Sequence, residues 1–431
     1  MRALVPSLAL GAVVALAACT DSTPLGPLAA DASARTTSEV EPTSGPWTRV
    51  VSGETGPGSL YQVYVPTGWN GDVIYFVHGI IPPTSPVELP DSPGDWDGFA
   101  AVRDQLGALG YAFAYSSFSE NGLALKDAAQ RTHQLRGLVA SELKGQPERS
   151  FLVGYSLGSA AALHLAEQFP RQYDGALLAC GMIGGTQLEL EYIGHVRALF
   201  DHYYPGVMPG TVIDVPEGGA MTPALQAQIV AAITPTAANP TAALGLLAIA
   251  STAQTPLAYV PGNVTVPGVS QTTLVTSLIA ALSYQLFTWD VVARTHGHSP
   301  FDNSGTTYTM GTPVVPALGS TLSALIAGSN VGVERYTSPP DAQNVLERYF
   351  TPSGDLEIPV ITVHNRWDYL VPFFHEAAFQ QTVAAAGASD LLLQRAVTDY
   401  GHCSNPQLRA AVTQGLLDLV GWVDSGVKPA N

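Results

Sequence analysis

Apolar and polar positions along this chain switch between two periods, and the switches mark out its elements. Tyr61-Gln62-Val63-Tyr64-Val65 alternates and stops at Pro66, as a half-buried strand does. Val73 to Val77 is a continuous apolar run, the pattern of a parallel strand covered on both faces. Asp95 to Leu109 then carries Phe99, Val102, Leu106 and Leu109 at helical spacing and ends at Gly110. Tyr111 to Tyr115 reads as a strand, Leu123 to Leu143 as an amphipathic helix stopped at Gly145, and Phe151 to Val153 as a buried strand. Leu157 to Phe169 returns to helical spacing, and Gly175 to Cys180 is the next strand. The alternation stops at Gly184-Gly185 and resumes with a strand from Ile358 to Val363, a helix from Phe373 to Ala386, a strand from Leu391 to Val397 and a closing helix from Pro406 to Val423. Strands alternating with helices predict an α/β fold, a mostly parallel sheet with helices on both faces. Right-handed crossovers then bring the strand C-termini, Val77, Val153 and Cys180 among them, to one edge, where ligands bind.

The segment between the two halves of this pattern has a different composition. Gly218 to Trp289 contains no Asp, Glu, Lys, Arg or His. Its apolar stretches, Ala242 to Ala250 and Leu274 to Phe287, are interrupted by Thr, Ser, Gln and Pro before reaching the eighteen or so clean apolar residues of a membrane span. The expectation is a mainly helical cap over residues 186–354, inserted after the Cys180 strand and roofing the sheet edge. A separate globular domain or a partner surface are the plainer readings. The core is expected at 47–185 and 355–427.

The N-terminus reads as export machinery. Arg2 supplies a positive start, Ala3 to Ala15 a short apolar region, and Leu16-Ala17-Ala18-Cys19 resembles the bacterial lipobox. That resemblance implies a signal peptide over 1–18, lipidation of Cys19 and delivery to an outer membrane or cell surface, held by the lipid anchor alone. An ordinary signal peptide is the alternative. Residues 19–46, rich in Ser, Thr, Pro, Ala and Gly without an apolar period, are expected to be a flexible tether. With Cys19 acylated, Cys180 and Cys403 remain, and an even remainder in an exported chain suggests one disulfide.

At 46% hydrophobic and 12% charged the chain has ample material for a core. The formal charge of −17 argues against nucleic acid and against acidic ligands, leaving a neutral substrate as the natural partner.

Chemistry concentrates at Gly154-Tyr155-Ser156-Leu157-Gly158, between a strand and a helix. Glycines two positions either side of a serine suit a turn so tight that a side chain there would strike its neighbours. A serine hydroxyl attacks an ester only with a base, and the base needs an orienting acid. After the Ile358 strand comes His364-Asn365-Arg366-Trp367-Asp368; after the last strand comes Asp399-Tyr400-Gly401-His402-Cys403. Ser156, Asp368 and His402 in this chain order resemble the triad of the α/β-hydrolase superfamily, over about residues 47–185 and 355–427. The resemblance implies a serine esterase without metal or cofactor. It also implies an oxyanion hole from the N–H of Leu157 and, in the His78-Gly79-Ile80 element, that of Ile80, with His78 packing beneath the loop.

Asp355, Asp390 and Asp399 are less well placed as the acid, and His364 comes one strand too early for the base. His296 and His298 lack the carboxylate pair that would make them a zinc site. Cys403 beside His402 resembles tannases and feruloyl esterases, in which such a cysteine is bridged to one preceding the serine. Here Tyr155 stands at that preceding position, and a lookalike bridge would join Cys180 to Cys403. The expected function is hydrolysis of neutral, hydrophobic carboxylic esters through an acyl-enzyme. A peptidase or amidase on the same scaffold, or a non-catalytic ligand-binding lipoprotein, are the alternatives. A dehalogenase would require a carboxylate where Ser156 stands.

Overall fold

The computed structural model describes residues 38–40, 45–90, 99–259, 272–403 and 405–430. The expected signal peptide, Cys19 and the tether up to residue 37 lie outside these residues.

Among the described residues nine strands form one sheet: β1 (Ser38–Val40), β2 (Trp47–Gly56), β3 (Ser59–Pro66), β4 (Asp72–Val77), β5 (Ala112–Ser116), β6 (Arg149–Tyr155), β7 (Gly175–Ala179), β8 (Val360–Trp367) and β9 (Leu392–Tyr400). Their spatial order is β1-β2-β3-β5-β4-β6-β7-β8-β9. Pairing is antiparallel from β1 to β5 and parallel from β5 to β9. This is the strand order of an α/β-hydrolase sheet, with β1 as a short addition at the edge. The antiparallel end was only partly legible: β2 is half polar with two glycines, and its pairing with β3 gives it a strand's place. Ser38–Val40, expected within the tether, instead pairs with Val50 to Ser52. Unpaired backbone at the edge of β2 offers hydrogen bonds to a segment with little side-chain signal of its own.

β4, β5 and β7 are buried along their whole length, as their apolar runs require. One face of the sheet is covered by α2 (Leu125–Glu142), α3 (Leu157–Gln168) and α11 (Phe374–Ala386), the other by α1 (Phe99–Ala108) and α12 (Pro406–Ser425). The register pairs Val77 with Gly154, Tyr155 with Ala179, and Ala179 with Val363, so the C-termini of β4, β6, β7 and β8 lie side by side.

Between β7 and β8 run α4 (Thr186–Tyr203), α5 (Pro223–Ile233), α6 (Ala243–Ser251), α7 (Thr272–Gln285), α8 (Thr288–Arg294), α9 (Gly319–Gly332) and α10 (Pro340–Phe350). They enclose a core of their own, including Val196, Phe200, Leu246, Ile249, Leu278, Leu282, Leu322 and Ile326. Thr273–Arg294 is long and apolar enough to cross a membrane by length and composition, yet half of it is buried in this core. Arg197 on α4 is fully buried, and each of its three nitrogens donates a hydrogen bond. Its Nε donates to Asp201, Nη1 to Gln285 of α7 at 2.7 Å, and Nη2 to the carbonyls of Pro209 and Gly210 at 3.0 Å. A guanidinium removed from water needs every one of these acceptors.

Candidate active site

The elbow is built by backbone geometry. β6 ends at Tyr155 and α3 begins at Leu157, leaving one residue for the reversal, and Ser156 takes it with φ 53° and ψ −124°. A non-glycine residue in that region is strained and persists only where its surroundings hold it. A Cβ on Gly158 would stand 2.0 Å from the Val77 carbonyl oxygen, and one on Gly154 2.5 Å from that of Gly158. Both glycines are therefore space requirements. The Ser156 N–H is fixed to the Ala179 carbonyl at 2.9 Å, and Ser159 ties the Gly154 and Ala179 carbonyls together through its hydroxyl.

The sheet edge brings three distant residues into a chain. His402, in the loop after β9, has Nε2 2.9 Å from Ser156 Oγ and Nδ1 2.8 Å from Asp368 Oδ2. Asp368 follows β8, is buried, and its other oxygen accepts the N–H groups of Leu370 and Val371 at 2.9 and 3.0 Å. A carboxylate can only accept, so Nδ1 of His402 carries the proton and Nε2 is free to take one from the serine. Burial alone would raise the Asp368 pKa, but His402 and His364 outweigh it and hold the carboxyl at about 2.

Behind Asp368 lies a layer that sequence reasoning missed. His364 is fully buried, with Nδ1 3.1 Å from Glu376 Oε1 and Nε2 2.9 Å from the Val371 carbonyl and 3.4 Å from Asp368 Oδ2. Burial pushes its pKa down, but the two carboxylates prevail and raise it to about 10. The imidazolium thus gives a proton to each side. Glu376, on α11, also accepts from Thr362 and Gln394 at 2.6 Å. The four-residue spacing of His364 and Asp368 was visible in the chain; nothing local announced Glu376.

The oxyanion candidates meet at the same place. Leu157 is the first residue of α3, so its N–H has no carbonyl one turn back to receive it. Ile80 lines the same cavity as Ser156 and Leu157. His78 beneath them is buried, stacked on Phe118 at 3.8 Å between ring centroids, and burial lowers its pKa to about 4.

Cys180, next after β7, is disulfide-bonded to Cys403, with Cα atoms 5.7 Å apart. Both residues adopt positive φ, 45° and 58°. The bridge ties the residue beside His402 to the strand beside the elbow. Their oxidised sulfurs are not thiolate ligands, although they lie close to the His402 ring. Asp355, Asp390, His296 and His298 are exposed and apart from this site, and Asp399 caps its own neighbour, Tyr400.

In front of Ser156 is a cavity of about 50 Å³. The core contributes Ile80, Leu123, Leu157, Met182, Leu370 and Val371 to it. The cap contributes Thr186, Glu189, Leu190 and Ile193 from α4 and Tyr284, Phe287, Thr288 and Val291 from the α7–α8 corner. The roof is thus narrower than expected: among the described residues of the uncharged stretch only its end reaches the cavity, while α5 and α6 pack elsewhere. A carboxyl, Glu189, also reaches the cavity, from the part of the cap that precedes the uncharged stretch.

No protein-family model matches the chain, and no curated protein matches it. Among solved structures it is similar to an esterase from Aspergillus oryzae, at TM-score 0.47 and 12% identity over 88% of this chain and 80% of that one. It is similar also to feruloyl esterase B from Aspergillus oryzae (TM-score 0.44, 15% identity, 88% and 81% covered). A third is the rice cell wall degrading esterase LipA from Xanthomonas oryzae (TM-score 0.41, 13% identity, 90% and 97% covered). Similarity at this level is remote, and the α/β-hydrolase fold assigned here rests on the strand order and the elbow.

Proposed function

We propose that this protein is a serine hydrolase that cleaves carboxylic esters through an acyl-enzyme. The observation that carries the reading is the unbroken chain Ser156 Oγ, His402 Nε2, His402 Nδ1, Asp368 Oδ2 at 2.9 and 2.8 Å. Ser156 Oγ attacks the ester carbonyl while its proton passes to His402 Nε2. The tetrahedral oxyanion is received by the N–H groups of Leu157 and Ile80. Collapse expels the alcohol, which takes the proton back from His402. Water, deprotonated by the same nitrogen, then attacks the acyl-serine and restores Ser156 with release of the acid. The disulfide supports maturation in an oxidising compartment, in keeping with export and a lipid anchor at Cys19.

A screen of p-nitrophenyl esters of graded chain length, beside an aminoacyl amide, tests the reading, with Ser156→Ala as control. Ester turnover lost in that variant is the expected result. Turnover of the amide alone would favour a peptidase, and no turnover of either would favour a ligand-binding protein. A fluorophosphonate that labels Ser156 in the wild type would separate a slow enzyme from a binding protein.

A further inference from the structure

The cavity wall is mostly apolar, and of its polar side chains Thr288 gives its hydroxyl to the Gln285 carbonyl at 2.7 Å, while two others face the space from α4. Thr186 and Glu189, three residues apart on α4, sit on one side of the helix and both line the space in front of Ser156. Glu189 is 6% exposed and Thr186 is fully buried. The Thr186 hydroxyl oxygen has no hydrogen-bond partner among the described residues. Glu189 has one: its Oε2 lies 3.0 Å from His375 Nε2. His375 Nδ1 accepts the backbone N–H of Gly184 at 3.1 Å, so its single proton must be on Nε2, pointing at the carboxyl. His375 is therefore neutral, in line with a pKa that burial and the charge on His364 lower to about 3. A neutral imidazole orients Glu189 by one oxygen and leaves the other without a partner among the described residues. Buried polar atoms are nearly always paired; an unpaired buried hydroxyl one helical turn from a carboxyl with an oxygen to spare, both lining a reactive cavity, points to a missing polar group.

We infer that Thr186 and Glu189 determine specificity by binding a hydroxyl group on the chain of the substrate, so that the cavity selects esters of short hydroxylated acids or alcohols over their plain alkyl counterparts. The inference rests on the serine hydrolase reading above. A hydroxyl is the group that fits, because it both gives and takes a hydrogen bond while remaining uncharged. Burial first, and then the negative charge of Asp368, push the Glu189 pKa well up, against the opposing pull of His402 and His364. A neutral Glu189 donates to the ligand oxygen and Thr186 receives the ligand proton. The length of chain is limited by the cavity: about 50 Å³ takes on the order of four atoms the size of water. A carboxylate or ammonium on the chain would meet a neutral wall and lose its hydration without repayment.

The test walks one hydroxyl along matched substrates of the wild-type protein. One arm uses ethyl esters of butanoic, pentanoic and hexanoic acids with and without a hydroxyl at each carbon past the second. The other uses acetates of short diols against those of the corresponding monoalcohols. At one position, in one arm, kcat/KM should exceed that of the plain ester by about tenfold, the worth of a hydrogen-bond pair made inside the cavity. The arm that responds tells whether the acyl or the alcohol side lies against α4. Glu189→Leu should bring this ratio to about one, whereas Glu189→Gln, which can still take the His375 proton, should keep part of it. A ratio near one at every position in both arms overturns the inference. So does a ratio that Glu189→Leu leaves unchanged while both rates fall together, since that is the signature of a merely structural carboxyl. If the wild type hydrolyses no ester, the serine hydrolase reading fails separately. Short diols against monoalcohols as ligands, read by thermal shift, then decide the Glu189 and Thr186 site: preferential stabilisation by a diol supports it and equal response overturns it.

Discussion

At the scale of single residues, the site is a hydrogen-bonded chain from Ser156 through His402 to Asp368. Ser156→Ala removes one oxygen from a buried elbow that tolerates small residues. Ester turnover should vanish while the thermal midpoint stays within a degree or so. Asp368→Asn keeps the shape but offers an N–H or a weaker acceptor to His402 Nδ1, and kcat should fall by roughly 10⁴. Wild-type turnover in either variant would remove the mechanism.

His364 makes a second, independent prediction. Its folded pKa, about 10, is above the ordinary imidazole value of about 6.5. A raised pKa means that the folded state binds the proton more tightly. The stability it contributes is full below about pH 6.5 and is lost as the pH rises through about 10. Wild type and His364→Gln should therefore differ most in thermal midpoint near neutrality and converge in alkali. A gap constant across that range would mean that the His364 charge is not what holds Asp368 and Glu376 together.

At the scale of elements, the working groups sit on the ends of strands and in the loops that follow them. β6 delivers Ser156, β8 Asp368 and β9 His402, and the last loop is the longest reach. The disulfide acts on that loop by joining it to the end of β7. Its loss in a Cys180→Ala, Cys403→Ala variant should cost about 2–4 kcal/mol of stability. Turnover should fall further than stability alone explains, because His402 is adjacent to the bridge. Unchanged kcat in a variant that has lost stability would show the bridge to be a staple for the fold alone.

At the scale of the whole molecule, the cap limits the space in front of Ser156. Its apolar helices, which looked like a roof, mostly make the cap's own core, and among the described residues of the cap only α4 and the α7–α8 corner close over Ser156. With about 50 Å³ in front of the serine, kcat/KM over plain acyl esters should rise for the first few methylenes, each worth up to ~0.8 kcal/mol when buried, and level off by about four carbons. A continued rise toward long acyl chains would mean that the α7–α8 corner moves aside.

The sequence by itself determined the alternation of the core, because a buried parallel strand and a helix packed on it leave different periods in side-chain polarity. It also marked the elbow, because close backbone approach admits only glycine at 154 and 158. The order Ser156, Asp368, His402 was legible for a related reason: each lies just after a strand, where a parallel sheet must place its loops at one edge. What stayed hidden depended on contacts between residues far apart in the chain. The short strand β1 has too few side chains to signal, and only the open edge of β2 gives it a place. Glu376 and His364, and likewise Glu189 and His375, are ordinary polar residues on or beside amphipathic elements. Only tertiary packing buries them against one another, and burial is what turns a hydrated surface charge into a fixed proton donor or a carboxyl with an oxygen to spare.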